Sequence, residues 1–135
     1  MQTDLELAFE MLTAKKPLYD KYFAYYDSLA PLVFSRERLR DIFKSIDARF
    51  TQNWCAVVID SLLERLNLMQ FVIAENEADT EFLNRQWQLS EMALDADDAH
   101  LAALVTGEAY VIAWKEDGES AEAYYNDPRN VHLFY

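Results

Sequence analysis

Apolar residues recur at three- and four-residue spacing over most of the chain and give way to short, continuous apolar runs towards its end; these are the signatures of helices followed by strands. Thr3 and Glu6 have the spacing of a capping box, and Leu5, Ala8, Phe9 and Leu12 then share one helical face. That helix is expected to end near Lys15 and Lys16, because Pro17 suits the first turn of a new helix, where its missing N–H has no partner. Tyr19, Tyr22, Phe23 and Tyr26 follow at helical spacing. Residues 27–35 read as a connector whose Leu32, Val33 and Phe34 still cover the core, and Ser35 as the cap of a helix carrying Leu39, Ile42, Phe43 and Ile46. The longest apolar helical pattern comes next. Asn53 caps it, Asn67 closes it, and Trp54, Val57, Val58, Leu62 and Leu66, widened by Ile59 and Leu63, predict a helix over residues 54–66 that is buried on most sides. With the β-branched and aromatic run at 68–73, assigned as a strand, this stretch is expected to form the centre of the core. On that reading Trp54→Ala costs roughly 3 kcal/mol or more.

Thr80 or Asp79 then caps a helix bearing Phe82, Leu83, Trp87 and Leu89, with Trp87 as a core or interface anchor. Asp95 and Asp98 mark another capped start, Leu101, Leu104 and Val105 line that helix, and Gly107 supplies its stop. The run YVIAW at 110–114 predicts a strand covered on both faces, Asp117-Gly118 a hairpin turn, and 121–125 the returning strand. After a turn at Asn126-Asp127-Pro128, residues 131–135 read as one more strand. The predicted fold class is α+β: a mainly helical N-terminal half with a small antiparallel or mixed sheet in the C-terminal half, forming a single domain over residues 1–135. Ending on an apolar VHLFY without a polar tail suggests the front part of a longer polypeptide. An unpartnered terminal edge strand is also expected to drive self-association.

Composition narrows the function classes. Hydrophobic residues make up 52% and aromatics 14%, so the chain folds rather than staying disordered. Its 24 acidic against 12 basic residues leave a net charge of −12, which argues against gripping nucleic acid through a basic surface. The single cysteine, Cys55, has no intramolecular disulfide partner and sits in an apolar pattern that reads as an inert buried thiol in a reducing compartment. The acidic N-terminus is unlike a signal peptide, and no apolar run is long enough to span a bilayer.

Candidate chemistry is thin. Asp60 and Glu64 fall on one strip of the central helix, where a solvated face is the simpler reading than a paired-carboxylate site. Arg36, Arg38 and Arg40 diverge around their helix and interleave with Glu37 and Asp41, which suits a charged face better than a phosphate clamp. His100 beside Asp97 and Asp98 lacks metal-ligand spacing, and the other histidine, His132, is far along the chain. The tyrosine stripe at 19–26 reads as packing surface, since base-stacking sites lie in basic grooves. With no nucleophile triad and only two glycines, no catalytic residue, cofactor site or metal site is assigned, and Asp60, Glu64 and His100 are expected to be dispensable for any catalysis.

The ordered pieces KPLYDKYFAYYDS, NWCAVVIDSLLERLNLMQF, a tryptophan followed by LDADDAHLAALVTGEAYVIAW, and a DG hairpin leading to NDPRNVHLFY resemble the portal proteins of tailed bacteriophages. The likeness spans nearly the whole chain and rests on the ordered set, no single motif being diagnostic. It departs from that pattern at Ser28 and at Gln70, where similar portals carry glycine. The resemblance implies the N-terminal part of the outer wing of a longer portal protein. It further implies a ring, usually a dodecamer, at one capsid vertex, in the virion or in the bacterial host cytoplasm during assembly. Its partners would be further copies of itself, the terminase, the capsid and head-tail connector proteins, and double-stranded DNA would pass through without sequence-specific binding. The competing readings are a small acidic helical adaptor that binds a partner through exposed aromatics, and a small enzyme, which the absent motifs disfavour.

Overall fold

The computed structural model describes residues 3–30, 53–115 and 121–134. The helix expected after Ser35, with Arg36, Arg38 and Arg40, and the Asp117-Gly118 turn lie outside the described residues. Within them the chain forms helices α1 (Asp4–Tyr26), α2 (Trp54–Leu63), α3 (Glu77–Leu89) and α4 (Met92–Thr106), then strands β1 (Tyr110–Trp114) and β2 (Glu122–Asn126). The fold is α+β, as the pattern predicted, with a two-stranded antiparallel sheet in the C-terminal part.

Helix α1 starts where Thr3 and Glu6 place it. The Glu6 N–H donates to Thr3 Oγ1 at 3.3 Å and the Thr3 N–H to Glu6 Oε2 at 2.9 Å, so two otherwise free donors are satisfied reciprocally. It does not stop at Lys16. Pro17 lies inside one continuous helix, although an interior proline removes a backbone hydrogen bond and costs about 3 kcal/mol. Tertiary contact offsets that loss. Ala8, Leu12, Lys15, Tyr19, Phe23 and Tyr26 stay in phase across the proline, Tyr19 is 3% exposed, and Phe23 lies under the Arg129 guanidinium at 4.4 Å.

The core is organised around α4 rather than the 53–73 stretch. Helix α4 touches α1, α2, α3 and β2, and its Met92, Ala96 and Ala102 are among the few buried apolar side chains. Its alanines explain the role, because small side chains let several elements approach one helix. Met92, Ala96 and Ala102 look unremarkable beside the valines and leucines of α2, yet α2 buries none of its side chains completely. Trp54 is 67% exposed, and Val57, Val58 and Leu62 are exposed too, so apolar content marked that helix as central while the described residues cover only one side of it. Trp54→Ala is therefore expected to lower the unfolding free energy by no more than about 1 kcal/mol, in place of the larger loss its sequence context suggested. Urea denaturation checks this.

Other boundaries shift for local reasons. Asn53 does cap α2, accepting from the Ala56 N–H at 3.0 Å, but that helix closes at Leu63 rather than Leu66. Asn76, not Thr80 or Asp79, caps α3 through the Asp79 N–H. Helix α4 begins at Met92, a turn before Asp95, and ends at Gly107, whose φ of 85° is the left-handed geometry expected there.

Residues 68–73 form no strand, because their partners are side chains. Asn84 of α3 accepts from the Phe71 N–H at 2.9 Å and donates to the Phe71 carbonyl at 2.9 Å, while Thr80 accepts from the Ile73 N–H. One amide thus stands in for a neighbouring strand, and Phe71 packs edge-on against Trp87 at 5.2 Å. Replacing Asn84 by Leu strands both backbone groups of Phe71. It is expected to cost about 2 kcal/mol and to speed exchange of the Phe71 amide while leaving that of Val111 unchanged.

The hairpin pairs Val111 with Tyr125 and Ile112 with Tyr124, and Trp114 stacks on Tyr124 at 5.0 Å. Strand β1 is not covered on both faces, since Val111, Ile112 and Trp114 are exposed. Residues 131–134 are not a strand either. The Asp127 carboxylate accepts from the Arg129 N–H at 2.8 Å and again from Arg129 Nε, which fixes a turn with Pro128 buried beneath it. The chain leaves that turn with His132 directed at Tyr110, so the edge expected to drive self-association does not exist at these residues.

Candidate functional site

Two features concentrate the chemistry. The first is a polar network centred on Glu108, just beyond the end of α4. Its Oε1 accepts from Lys15 Nζ at 2.7 Å, and its Oε2 accepts from Tyr19 Oη at 2.7 Å and Tyr110 Oη at 2.6 Å. Three donors hold the charged carboxylate, with Lys15 contributing most, and bring its pKa down to about 2. Burial first, and then the bond to Glu108, push the Tyr19 phenol up to about 12, and Tyr110 is raised for the same reasons. His132 completes the set, its Nδ1 at 3.1 Å from the Tyr110 oxygen and its side chain 9% exposed. The Tyr110 proton is committed to an ionised Glu108, so the His132 ring must present a proton on Nδ1 to the Tyr110 oxygen. The cluster closes a cavity of about 320 Å³ with Met11 and Leu133. General acid–base chemistry needs groups that titrate near the working pH. A carboxylate held near 2 stays ionised and phenols raised above their ordinary range stay protonated, and this network acts as a clasp joining α1, α4, β1 and the C-terminal segment.

The second feature is an apolar groove of about 560 Å³ between the C-terminal half of α1 and α2, lined by Tyr22, Tyr25, Tyr26, Trp54, Cys55, Val58, Ile59 and Val105. Its walls are pinned at two points. Asn53 Nδ2 donates to the Tyr26 carbonyl, and Tyr26 Oη donates to Asp60 Oδ1 at 2.8 Å, which raises the Tyr26 pKa through that bond and, secondarily, burial. The groove therefore has a fixed shape and an almost wholly apolar lining.

The residues singled out from sequence are not brought together. Asp60 serves Tyr26 and is half-buried rather than facing water, Glu64 is exposed at the end of α2, and His100 sits half-buried on α4 with its Nδ1 unpartnered. Asp97 and Asp98 are exposed. Among the described residues no three His, Cys, Asp or Glu side chains are grouped as a metal ion requires, and no helix is long and apolar enough to cross a membrane. Cys55 is exposed on the groove, not buried. Of the tyrosine stripe, Tyr19 and Phe23 are packing surface, while Tyr22 and Tyr26 line the groove. Sequence reasoning passed over Lys15 and Glu108, which lie 93 residues apart; no spacing rule connects them, and the one local hint was an acidic residue directly after the helix-ending glycine. In comparison with known proteins, the chain matches no family model, no curated protein and no solved structure.

Proposed function

We propose that the chain is a structural subunit that assembles with copies of itself, in the manner of the wing of a phage portal ring, and that it is not an enzyme. The observation that carries this reading is the apolar surface left uncovered among the described residues: Leu5, Phe9, Trp54, Val57 and Val58 all face outward. Large apolar surfaces of this kind belong to interfaces.

The ordered sequence pieces that resemble portal proteins point the same way. So does Ser28, one of the two positions where similar portals carry glycine: its φ of 60° is a conformation glycine adopts without strain. On this reading the partners are other copies in a ring, of twelve in the full protein, then terminase, capsid and head-tail connector proteins, with the assembly in the virion or the host cytoplasm. An excess of acidic residues suits a conduit past which DNA must slide, because each phosphate contact by Lys or Arg retards passage. Negative-stain electron microscopy of the concentrated protein tests the reading. Closed rings of constant subunit number are expected; isolated particles of monomer size would instead favour the adaptor, whose partner is a different protein.

A further inference from the structure

The cavity beside the Glu108 network lies between α1, the link after α4, β1 and the C-terminal segment, and holding these together does not use up its chemistry. It measures about 320 Å³, at the lower end of the range of roughly 300–1,000 Å³ that small-molecule pockets span. Met11 and Leu133 give it an apolar side, and Lys15, Tyr110 and His132 a polar one. His132 is the informative residue. Its side chain is 9% exposed, and its Nδ1 is committed to the Tyr110 oxygen at 3.1 Å. With the proton on Nδ1, Nε2 carries a lone pair, and among the described residues nothing donates to it. A buried polar side chain with one unanswered atom calls for a partner. Lys15 offers the complementary half: its ammonium has three N–H donors, and Glu108 Oε1 takes one at 2.7 Å.

The charges of the lining decide what that partner is. Lys15 and Glu108 cancel each other within one ion pair. A cation would find the carboxylate already holding three donors, from Lys15, Tyr19 and Tyr110. An anion has to approach a chain of net charge −12 and would find the Lys15 charge already answered. A neutral group that accepts from Lys15 Nζ and donates to His132 Nε2 satisfies both, and a primary carboxamide or a hydroxyl can do so. We infer that this cavity binds a small neutral molecule through a carboxamide or hydroxyl head between Lys15 and His132, with its apolar body against Met11 and Leu133. The site does not depend on whether copies of the chain assemble. Its walls come from both ends of the chain, so occupancy also tightens the C-terminal segment against α1: a ligand that binds only the folded chain adds stability that grows with its concentration.

Probes that share one apolar body and differ in the head group test this: butanamide, butan-1-ol, butanoate and butylammonium, each titrated into the full chain with amide NMR shifts as the readout. Butanamide and butan-1-ol are expected to shift the Tyr110 and Leu133 amides saturably and to slow hydrogen exchange at Leu133. Butanoate and butylammonium are expected to leave both amides in place. His132→Phe keeps an aromatic ring and removes the acceptor, and is expected to weaken binding about tenfold, as one lost hydrogen bond does. Met11→Trp, at an exposed position of α1, fills the apolar side while leaving the polar groups as they are, and is expected to abolish binding. It carries the test if His132→Phe does not fold. No saturable shift from either neutral probe would show that the cavity holds solvent only. Equal binding of the charged probes, or undiminished binding by a folded variant, would overturn the assigned chemistry.

Discussion

Tyr19→Ala is expected to remove about 4 kcal/mol of stability, a large share of what a marginally stable domain holds. Tyr19 is 3% exposed and is the only aromatic side chain in the buried core of the described residues, so nothing nearby can refill the space it leaves. Tyr19→Phe separates the ring from the hydroxyl. It keeps the packing, loses one hydrogen bond to Glu108, and is expected to cost about 1 kcal/mol. The pair also differs at high pH. The Tyr19 phenol is held at about 12 in the folded chain against 10.0 for a free phenol. Its contribution is complete below about 10 and is lost as pH rises through 12. The phenylalanine variant should lose less stability across that window than the parent. Thermal unfolding of the three proteins at neutral and alkaline pH measures both effects.

Glu108→Ala is expected to cost about 3 kcal/mol, and the partition of that cost follows from exposure. Lys15 is partly exposed and returns to water at little penalty. The Tyr110 hydroxyl can turn towards His132. The buried Tyr19 hydroxyl has no such recourse, and an unmet donor at a buried site dominates the loss. The acid limb of the stability curve carries a second signature. Folded Glu108 titrates at about 2 against an ordinary 4.5, so its stabilisation is present above about 4.5 and disappears as pH falls from there towards 2. Glu108→Gln, similar in shape and without charge, should lower stability at neutral pH and flatten the curve within that window. Urea midpoints from pH 2 to 7 distinguish this from a variant that is merely destabilised at every pH.

These two residues show where sequence patterns carry information and where they do not. Thr3 with Glu6, Asn53, Gly107 and the YVIAW strand were legible because a cap, a stop or a paired strand is decided within a few residues. The interior Pro17 departs from the local rule for proline because the apolar phase runs unbroken from Ala8 to Tyr26 and tertiary contact holds the helix across it. The segments 68–73 and 131–134 have strand composition, yet their backbone or side-chain partners are Asn84, Thr80 and Tyr110, which composition does not reveal. The same limit hid the Glu108 network, assembled from residues far apart in the chain. Helix α2 is the most instructive case. Trp54, Val57, Val58 and Leu62 showed correctly that it carries a broad apolar surface, but a pattern cannot say whether the cover comes from the same chain or from another copy.

That last question is the one to measure. Sedimentation velocity on the 135-residue chain, over a wide concentration range at moderate salt, compares a 15.8 kDa monomer with any assembly. The expected result is a sedimentation coefficient that climbs with concentration and levels off at one discrete species of several copies, reached sooner when salt is raised. A single monomeric boundary at every concentration and every salt would contradict the claim that the uncovered surface is an assembly surface.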